Sequence, residues 1–435
     1  MPGGRNSTLV ADGTPQGGWL PVWTPGTFGQ LQDMPEPMTP AQAPEIADLH
    51  DLYARRVPKM FYDYCETGSY TTSTFIDNTA AMAKFRLRQR VARNIDQRIL
   101  QTTMAGETVS MPVALAPIGS LGMQHADGEI HACRAAQKFG LPFTLSTMSI
   151  CSIEDLAANV SKPFWFQLYV MRDRGFAADL VARAKAAKCS ALVLTLDLQV
   201  LGQRHKDTKN GLSSPPKLTL PNIMNMMTKP RWCMGMLGTK RRTFDNIFGH
   251  VKDVGDMTSL SEWTNHQFDP TLDWSSVDFI RKQWGGKLIL KGINDVDDAV
   301  IAAGLGADAI VVSNHGGRQL DGAPATIDML GPIVDAVGGK VEIWLDSGIR
   351  TGMDIMRALA LGAQGTMIGR AYVYGLGAAG EAGVTRALDI LQKELSVTMG
   401  LCGERDVKDV GRHNLLMPTL PFEVPPPDVK AKKRR

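Results

Sequence analysis

Short apolar segments recur along the chain, and each ends in polar residues. Eight of them are typical of buried parallel strands, which carry near-continuous apolar runs because both faces of the sheet are covered. They are residues 113–117, 143–146, 164–169, 191–197, 288–292, 309–315, 342–348 and 365–370. Amphipathic stretches such as GFAADLVARAKAAKC and MDIMRALALGA lie between neighbouring segments and predict helices. Eight strand–helix units with one long insertion after the fourth strand predict an α/β fold, a (β/α)8 TIM barrel.

An internal repeat supports this prediction. A set of six residues recurs later in the chain at one constant offset, as a duplicated pair of strand–helix units would give. Gly292, Ile293, Asp298, Ala302, Gly306 and Ala307 correspond to Gly348, Ile349, Asp354, Ala358, Gly362 and Ala363. A doubly wound sheet could also supply eight parallel strands, but only a barrel gathers all eight polar strand ends around one mouth.

The rest of the chain divides by composition. Residues 1–44 are rich in Pro, Gly and Thr and predict an extended N-terminal arm. Residues 45–420 form the predicted barrel domain, which begins with a helical stretch interrupted at Pro58. Within it, residues 210–275 are the insertion, expected to be a lid or a membrane contact. Residues 421–435 predict a disordered tail with a basic tip.

Composition and charge narrow the class of protein. The chain has 435 residues, 44% of them hydrophobic and 21% charged, as in a globular protein. A net charge of +3 is too small to indicate a nucleic-acid partner. The six cysteines show no metal-binding spacing and are typical of reduced thiols. No signal peptide is recognisable, and no apolar run reaches the roughly 18 residues that span a bilayer. We therefore expect a cytoplasmic protein.

The stretch AIVVSNHGGRQLDG, residues 309–322, carries the clearest chemistry. His315 can accept a proton near neutral pH, and the planar guanidinium of Arg318 suits a carboxylate or a phosphate. The two glycines between them allow a flat ligand to approach the backbone. The alternative for this stretch alone is a loop that caps a helix and exposes its arginine to solvent.

The other strand ends suggest what the barrel binds. Strands seven and eight end in DSGIRTG and IGR, and barrels commonly bind phosphate in these two loops. The remaining ends supply amide, hydroxyl and lysine groups, which suit the edge of a heterocycle. No GxGxxG follows a strand, so a dinucleotide bound in the Rossmann manner is not expected. These features predict either flavin mononucleotide (FMN) or a phosphorylated substrate.

The motifs SNHGGRQLDG, FQLYV, LTLD, GQRHKD, LKGI and DSGIR occur in the order found in one known family. Through them the chain resembles the FMN-dependent 2-hydroxy-acid dehydrogenases and oxidases, from about residue 45 to residue 399. MPVALAP, FTLSTMSICSIEDL and GRAYVYGL are most similar to its respiratory lactate dehydrogenase branch. The resemblance implies FMN-dependent oxidation of a small L-2-hydroxy acid, chiefly L-lactate to pyruvate. It also implies a quinone or other external electron acceptor and a homotetramer.

The resemblance further implies a role for each polar residue at the strand ends. His315 acts as the base, Asp197 pairs with it, and Tyr169 contacts the substrate hydroxyl. The substrate carboxylate is bound by Tyr64, Arg204 and Arg318. FMN is contacted by Ala116, Ser146, Gln167, Thr195, Lys291, Ser313, Asp346, Gly348, Arg350, Gly369 and Arg370. No residue is expected to bind a metal.

Several alternatives stay open on the sequence alone. The acceptor could be oxygen, and the acid could be mandelate or glycolate. Lys291 on a barrel strand also fits the Schiff-base lysine of a phosphosugar aldolase, and a non-catalytic flavin-binding protein is a third hypothesis. In the insertion, residues 222–242 place methionines and a tryptophan beside basic residues. This pattern predicts peripheral contact with the cytoplasmic face of the inner membrane, and a flap packed on its own barrel is the alternative.

Overall fold

The computed structural model describes residues 38–212, 219–251 and 267–416. The predicted N-terminal arm therefore lies almost entirely outside the described residues, and the predicted C-terminal tail lies wholly outside them. Only the end of the arm is described, where Thr39 precedes a short 3-10 helix, Pro40–Gln42.

Eight parallel strands form the centre of the fold, and all eight were predicted from the apolar segments. They are β1 (Val113–Leu115), β2 (Thr144–Ser146), β3 (Trp165–Tyr169), β4 (Ala191–Thr195), β5 (Lys287–Ile293), β6 (Ala309–Val312), β7 (Glu342–Leu345) and β8 (Gly365–Ile368). Consecutive strands from β2 to β8 pair in parallel, and β8 pairs with β1. A single parallel bridge between Leu115 and Phe143 joins β1 to the start of β2. The sheet is thus closed into the predicted barrel.

Helices follow the strands and cover the outside of the barrel. They are Leu121–Gln124, Gly128–Phe139, Ile153–Asn159, Arg174–Ala186, Trp274–Trp284, Val296–Gly304, Thr326–Val337, Gly352–Ala360 and Arg370–Cys402. Several begin at side-chain caps, such as Ser152, which accepts a hydrogen bond from Asp155 N, and Asp173, which accepts one from Phe176 N. The last helix contains a break with non-helical backbone at Ala379 and Gly380.

The amino-terminal end of the barrel is covered. The antiparallel strands Thr102–Met104 and Glu107–Val109 form a hairpin whose Glu107 accepts a hydrogen bond from Trp165 Nε1 at 2.8 Å. Inside, the rings of Trp165 and Trp344 stack with centroids 5.3 Å apart. Because Trp165 opens β3, the hairpin covers the start of the strands. The polar residues lie at the opposite end, at the carboxyl ends of the strands, where a ligand can bind.

Elements from both ends of the described chain pack on the barrel. The predicted helical stretch near residue 45 forms Ile46–Arg56 and Lys59–Cys65, separated at Pro58, followed by Ser73–Ala80. Short 3-10 turns occur at Ala81–Lys84, His315–Gly317, Val407–Asp409 and Arg412–Asn414. The strand Arg86–Leu87 pairs antiparallel with Leu415–Leu416.

The insertion lies between β4 and β5, as predicted, and part of it is helical. The helices Leu220–Met227 and Pro230–Gly238 lie within its predicted bounds, residues 210–275, and the short helix His205–Lys209 comes just before them. Residues 213–218 and 252–266 of the predicted insertion lie outside the described residues. We call Leu220–Met227 and Pro230–Gly238 together the helix pair.

Candidate active site

A histidine–aspartate pair lies at the carboxyl ends of β4 and β6. His315 Nδ1 lies 2.9 Å from Asp197 Oδ1, and both side chains are largely buried. Burial alone would raise the pKa of Asp197, but the charge and hydrogen bond of His315, followed by the charge of Lys291, outweigh it and lower that pKa. Asp197 is therefore a carboxylate, placed to accept a hydrogen bond from the His315 ring. With Nδ1 engaged, His315 keeps Nε2 for a ligand.

The loop after β6 holds His315 in a strained conformation. Its φ is +58°, a left-handed value that non-glycine residues seldom adopt. Two contacts fix it: His315 N donates to Ser313 Oγ at 3.2 Å, and Gly316 N donates to Ser347 Oγ at 2.9 Å. Strain of this kind persists where the surroundings determine the geometry, as they do at functional sites.

Two arginines and a tyrosine lie together beside this pair. The guanidinium carbon of Arg318 is 4.5 Å from the centre of the Tyr64 ring, and that of Arg204 is 5.9 Å from it. Arg318 Nη1 donates to Tyr64 O and, at 3.5 Å, to Thr67 O. Its Nη2 is buried and finds no hydrogen-bond partner among the described residues. A buried donor without a partner costs about 1–3 kcal/mol, so this group indicates a ligand.

Strand register brings three more of the predicted residues side by side. Tyr169 of β3 is paired with Thr195 of β4, which is paired with Lys291 of β5. Burial raises the pKa of the Tyr169 phenol, and the charge of Asp197 raises it further, so the hydroxyl is a neutral hydrogen-bonding group.

Lys291 is buried within a polar cluster. Its Nζ lies 2.9 Å from Asp346 Oδ2 and donates to Ser313 Oγ at 2.9 Å. Burial disfavours the ammonium, but the charges of Asp346 and Asp197 outweigh this and raise the lysine pKa. Lys291 is therefore a fixed positive charge at the centre of the barrel mouth.

The remaining predicted ring contacts lie on β1, β2 and β3. Ser146 Oγ donates to Gln167 Oε1 at 3.1 Å, while Gln167 Nε2 is buried and has no partner among the described residues. Ala116 N donates to Ile368 O of β8, and Ala116 O accepts from Tyr372. The free amide of Gln167 is a second buried donor that indicates a ligand.

The phosphate loops after β7 and β8 converge at the start of the last helix. A Cβ at Gly348, whose φ is +114°, would overlap the backbone oxygen of Asn78. Arg350 lies over the Tyr374 ring at 5.7 Å. Gly369 caps the helix that begins at Arg370, whose first N–H groups point out of the helix as an anion site would require.

The side chain of Arg370 is engaged elsewhere. Its Nε donates to Cys65 O at 2.7 Å, Nη2 to Thr67 O at 2.9 Å and Nη1 to Gly316 O at 3.2 Å. Burial lowers its pKa to about 10, with Glu66 opposing the shift. The guanidinium thus joins the N-terminal segment to the loop after β6. The phosphate contact predicted for Arg370 stays a prediction, and its backbone N–H is the group placed to make it.

Comparisons with known proteins bear on this arrangement. A sequence model described as FMN-dependent dehydrogenase matches residues 53–417. The chain belongs to this family. It is 45% identical over 372 residues to an L-lactate dehydrogenase of Stenotrophomonas maltophilia (strain R551-3), covering 83% of this chain and 96% of that one. It is 43% identical over 371 residues to an L-lactate dehydrogenase of Actinobacillus pleuropneumoniae serotype 5b (strain L20), covering 85% and 97%.

Solved structures of the family are similar to this fold. The monotopic membrane protein (S)-mandelate dehydrogenase superposes with a TM-score of 0.82 at 32% identity, covering 86% of this chain and 100% of that chain. A mandelate oxidase variant with (S)-mandelic acid gives 0.71 at 34% identity, covering 84% and 96%. The predicted family, barrel fold and FMN-dependent dehydrogenase activity are thus confirmed.

The residues at the barrel mouth fit the family's cofactor. Gln167 Nε2 is a buried donor without a partner among the described residues. Lys291 supplies a buried positive charge, and the glycine-rich loops before Arg350 and Arg370 offer backbone N–H groups to a phosphate. An FMN ring and phosphate suit this donor set.

Contacts that the sequence did not predict hold the site together. Ser69 N donates to Gly317 O at 2.9 Å, and Asn78 and Asn314 exchange two side-chain hydrogen bonds of 2.8 Å. Gln319 Nε2 donates to Asp197 O at 2.7 Å. These contacts join segments far apart in the chain, so no local pattern could have revealed them.

Asp321 makes several more contacts that the sequence did not predict. Its carboxylate accepts hydrogen bonds from Thr71 N, Thr74 N and Ser73 Oγ at 2.9–3.0 Å. Burial alone would raise its pKa, but the hydrogen bonds from Thr71, Thr74 and Ser73 outweigh it and lower that pKa to about 2. Asp321 therefore fixes the N-terminal segment over the loop that carries His315 and Arg318.

Proposed function

We propose that this chain oxidises L-lactate to pyruvate with bound FMN and passes the electrons to a membrane quinone. The observation that carries the proposal is the His315–Asp197 pair beside Arg204 and Arg318. A base next to paired guanidinium groups suits an acid whose hydroxyl-bearing carbon adjoins a carboxylate. The relatives named L-lactate dehydrogenase support lactate, and the mandelate enzymes make mandelate the alternative.

The chain's own residues divide the work at the substrate. Arg318 Nη2 and Arg204 bind the carboxylate, and the Tyr64 ring supports both guanidinium groups. The Tyr169 hydroxyl hydrogen-bonds the substrate hydroxyl. His315 Nε2 takes a proton from the hydroxyl-bearing carbon or from its hydroxyl, and Asp197 stabilises the imidazolium that results. Bound FMN supplies the acceptor for the two electrons released.

On the cofactor side, Lys291 is the residue whose chemistry matters most. Its fixed charge favours negative charge on a reduced ring. Ser146, Gln167, Thr195 and Ala116 supply the other ring contacts. Asp346, which is ion-paired with Lys291, and the neighbouring Ser313 would contact the cofactor toward its ribityl chain. The phosphate would be bound by the loops that contain Gly348, Arg350, Gly369 and Arg370. A Schiff-base lysine needs a neutral amine, so the raised pKa of Lys291 argues against the aldolase alternative.

The helix pair supports a peripheral membrane contact. One side packs on the protein: the Trp232 ring lies 5.5 Å from that of Phe61, and Trp232 Nε1 donates to Met123 O at 2.9 Å. The other side leaves apolar side chains in solvent, with Met227 74% and Leu237 77% exposed. Exposed on the same segment are the cations Arg231, Lys240 and Arg242.

Apolar side chains flanked by cations suit insertion into the headgroup region of an anionic leaflet. Among the described residues no helix is long and apolar enough to cross a membrane, so the contact we propose is interfacial. The (S)-mandelate dehydrogenase neighbour is described as a monotopic membrane protein, which supports the same arrangement here. The proposed location is the cytoplasmic face of the inner membrane, where a lipid-soluble quinone can accept the electrons.

Vesicle sedimentation tests the membrane contact. Replacing Met224, Met227 and Leu237 together with serine should leave the protein in the supernatant when vesicles rich in anionic lipid are pelleted. The rate of L-lactate-dependent reduction of a soluble dye should stay unchanged, because these side chains lie outside the barrel mouth. Pelleting equal to that of the unaltered protein would contradict the membrane contact.

Substrate and acceptor are tested by steady-state rates. With a soluble dye as acceptor, L-lactate should give a higher kcat/KM than D-lactate or (S)-mandelate. With L-lactate fixed, a quinone analogue should reoxidise the enzyme faster than oxygen does. A higher kcat/KM for mandelate would contradict lactate as the substrate, and faster reoxidation by oxygen would contradict quinone as the acceptor. A homotetramer is also proposed, and sedimentation velocity tests it.

A further inference from the structure

A buried carboxylate, Asp207, lies next to Arg204 at the substrate end. Its Oδ2 is 3.5 Å from Arg204 Nε, and its side chain is 12% exposed. Its Oδ1 is buried and has no hydrogen-bond partner among the described residues. Asp207 belongs to the short helix His205–Lys209, so it reaches the site from the segment between β4 and the predicted insertion.

Three charged residues act on Asp207: Arg318, Arg204 and Asp63. Burial, together with the charge of the nearby Asp63, raises the pKa of the Asp207 carboxyl, and the guanidinium groups of Arg318 and Arg204 oppose that rise without cancelling it. Asp63 is itself held by Lys59 Nζ and by Asn210 Nδ2, the latter at 2.8 Å. Asp63 therefore has its own partners, whereas Asp207 has Arg204 beside it and the charge of Arg318 acting on it.

We propose that Asp207 is a specificity-determining residue that makes the site selective for monocarboxylic 2-hydroxy acids. The two guanidinium cations can be balanced by two negative charges. Asp207, beside Arg204, supplies one of them when it is ionised, and the carboxylate of the substrate supplies the other. A second carboxylate on the substrate would then be in excess, and buried charge without a partner is costly.

This inference rests on the proposed function, because it concerns the same two arginines. In addition, Asp207 would restrict which substrates bind. The alternative is that Asp207 has a purely structural role in its short helix. A structural role predicts that loss of the carboxylate weakens all ligands alike, whereas a role in charge balance predicts a change that depends on the charge of the ligand.

Oxamate and oxalate provide the test, since they have similar shapes and differ by one negative charge. Their dissociation constants are measured from the absorbance change of the bound flavin in the FMN-loaded protein. For Asp207→Asn, the affinity ratio of oxalate to oxamate should rise by about tenfold over that of the unaltered protein, as expected for one unit charge removed several ångströms from the ligand. Asp207→Glu, which keeps the charge, should retain the original ratio.

Asp63→Asn is the matched control. It removes a neighbouring buried carboxylate that is bonded to Lys59 and Asn210 rather than to the arginines, so the ratio should not change. A ratio within about twofold of the original in Asp207→Asn, or an equal rise in Asp63→Asn, would overturn the proposal, because the Coulomb energy of the substrate's second charge would then not depend on Asp207.

Two further outcomes are decisive. If Asp207→Asn does not retain FMN, Asp207→Ser is measured in its place, and failure of both beside an intact Asp207→Glu would overturn the proposal in favour of a structural role. Binding is measured without turnover, so the result does not depend on lactate being the substrate. Should the unaltered protein bind neither ligand, the substrate site and the proposed function would fail together with this inference.

Discussion

Replacing Arg318 with methionine tests the substrate end most sharply. Methionine keeps an unbranched chain as far as the position of the arginine Nε, so the change removes the guanidinium group, whose carbon now lies 4.5 Å from the centre of the Tyr64 ring. The change removes the positive charge and the buried Nη2 that has no partner among the described residues. It also removes the Nη1 donor to Tyr64 O and Thr67 O, although Thr67 O keeps its bond from Arg370.

The size of the effect follows from the bond that is lost. A hydrogen bond to a charged group contributes about 1.5–3 kcal/mol, and every 1.4 kcal/mol is about a factor of ten. Arg204 remains to bind the carboxylate, so binding should weaken rather than disappear. We therefore expect kcat/KM for L-lactate to fall by about 10- to 200-fold. Arg318→Lys, which keeps the charge but loses the planar fork, should give a smaller fall.

Anaerobic stopped-flow measurement of flavin bleaching against L-lactate concentration gives the required constants. The spectrum of the bound flavin before mixing shows that the variants still carry FMN. A fall of less than about tenfold in Arg318→Met would mean that no charge-assisted hydrogen bond was lost and that Arg318 does not bind the carboxylate.

Three further changes probe other parts of the site. His315→Gln should retain FMN but abolish its reduction by L-lactate, and reduction at the original rate would exclude His315 as the base. Asp321→Asn should destabilise the protein in urea at neutral pH. Because its pKa is lowered to about 2, the stability difference should persist above pH about 4 and disappear as the pH falls toward 2; a constant difference would contradict this. Gly348→Ala should lower the free energy of unfolding by on the order of 2 kcal/mol or more and release FMN, because the added Cβ would overlap Asn78 O. Normal FMN retention would contradict this.

The barrel could be predicted from the sequence because its signal is local. Each strand is a short apolar run ended by polar residues, as in Ala309–Val312 followed by Ser313. The repeat also has a structural counterpart, since Gly292 and Gly348 both have positive φ. The shared location of the polar strand-end residues could be predicted for the same reason, because a barrel brings every strand end to one mouth.

Contacts between distant segments could not be predicted in this way. Asp321 lies close in sequence to His315 and Arg318, but its partners, Thr71 to Thr74, are in the N-terminal segment. Arg370 carries the sequence signal of a phosphate-binding arginine, yet its side chain bonds to three backbone oxygens. The partner that a long polar side chain chooses depends on the folded surroundings and not on neighbouring letters.

For the insertion, the sequence predicted the two alternatives but not which residues take part in each. Its methionines and cations suggested either a membrane contact or a flap packed on the barrel, and the helix pair has a face for each. Trp232 packs on Phe61, whereas Met227 and Leu237 are exposed. Composition alone could not assign residues to faces, because that required the helix boundaries and the positions of the neighbouring elements.

The visible spectrum of the purified protein under anaerobic conditions tests the central claim most directly. The account predicts the absorption bands of oxidised flavin, their bleaching when L-lactate is added, and their return when a quinone analogue is admitted. Bands that persist in the presence of L-lactate would contradict lactate as the substrate. A protein that shows no flavin bands and takes up no added FMN would contradict the account as a whole.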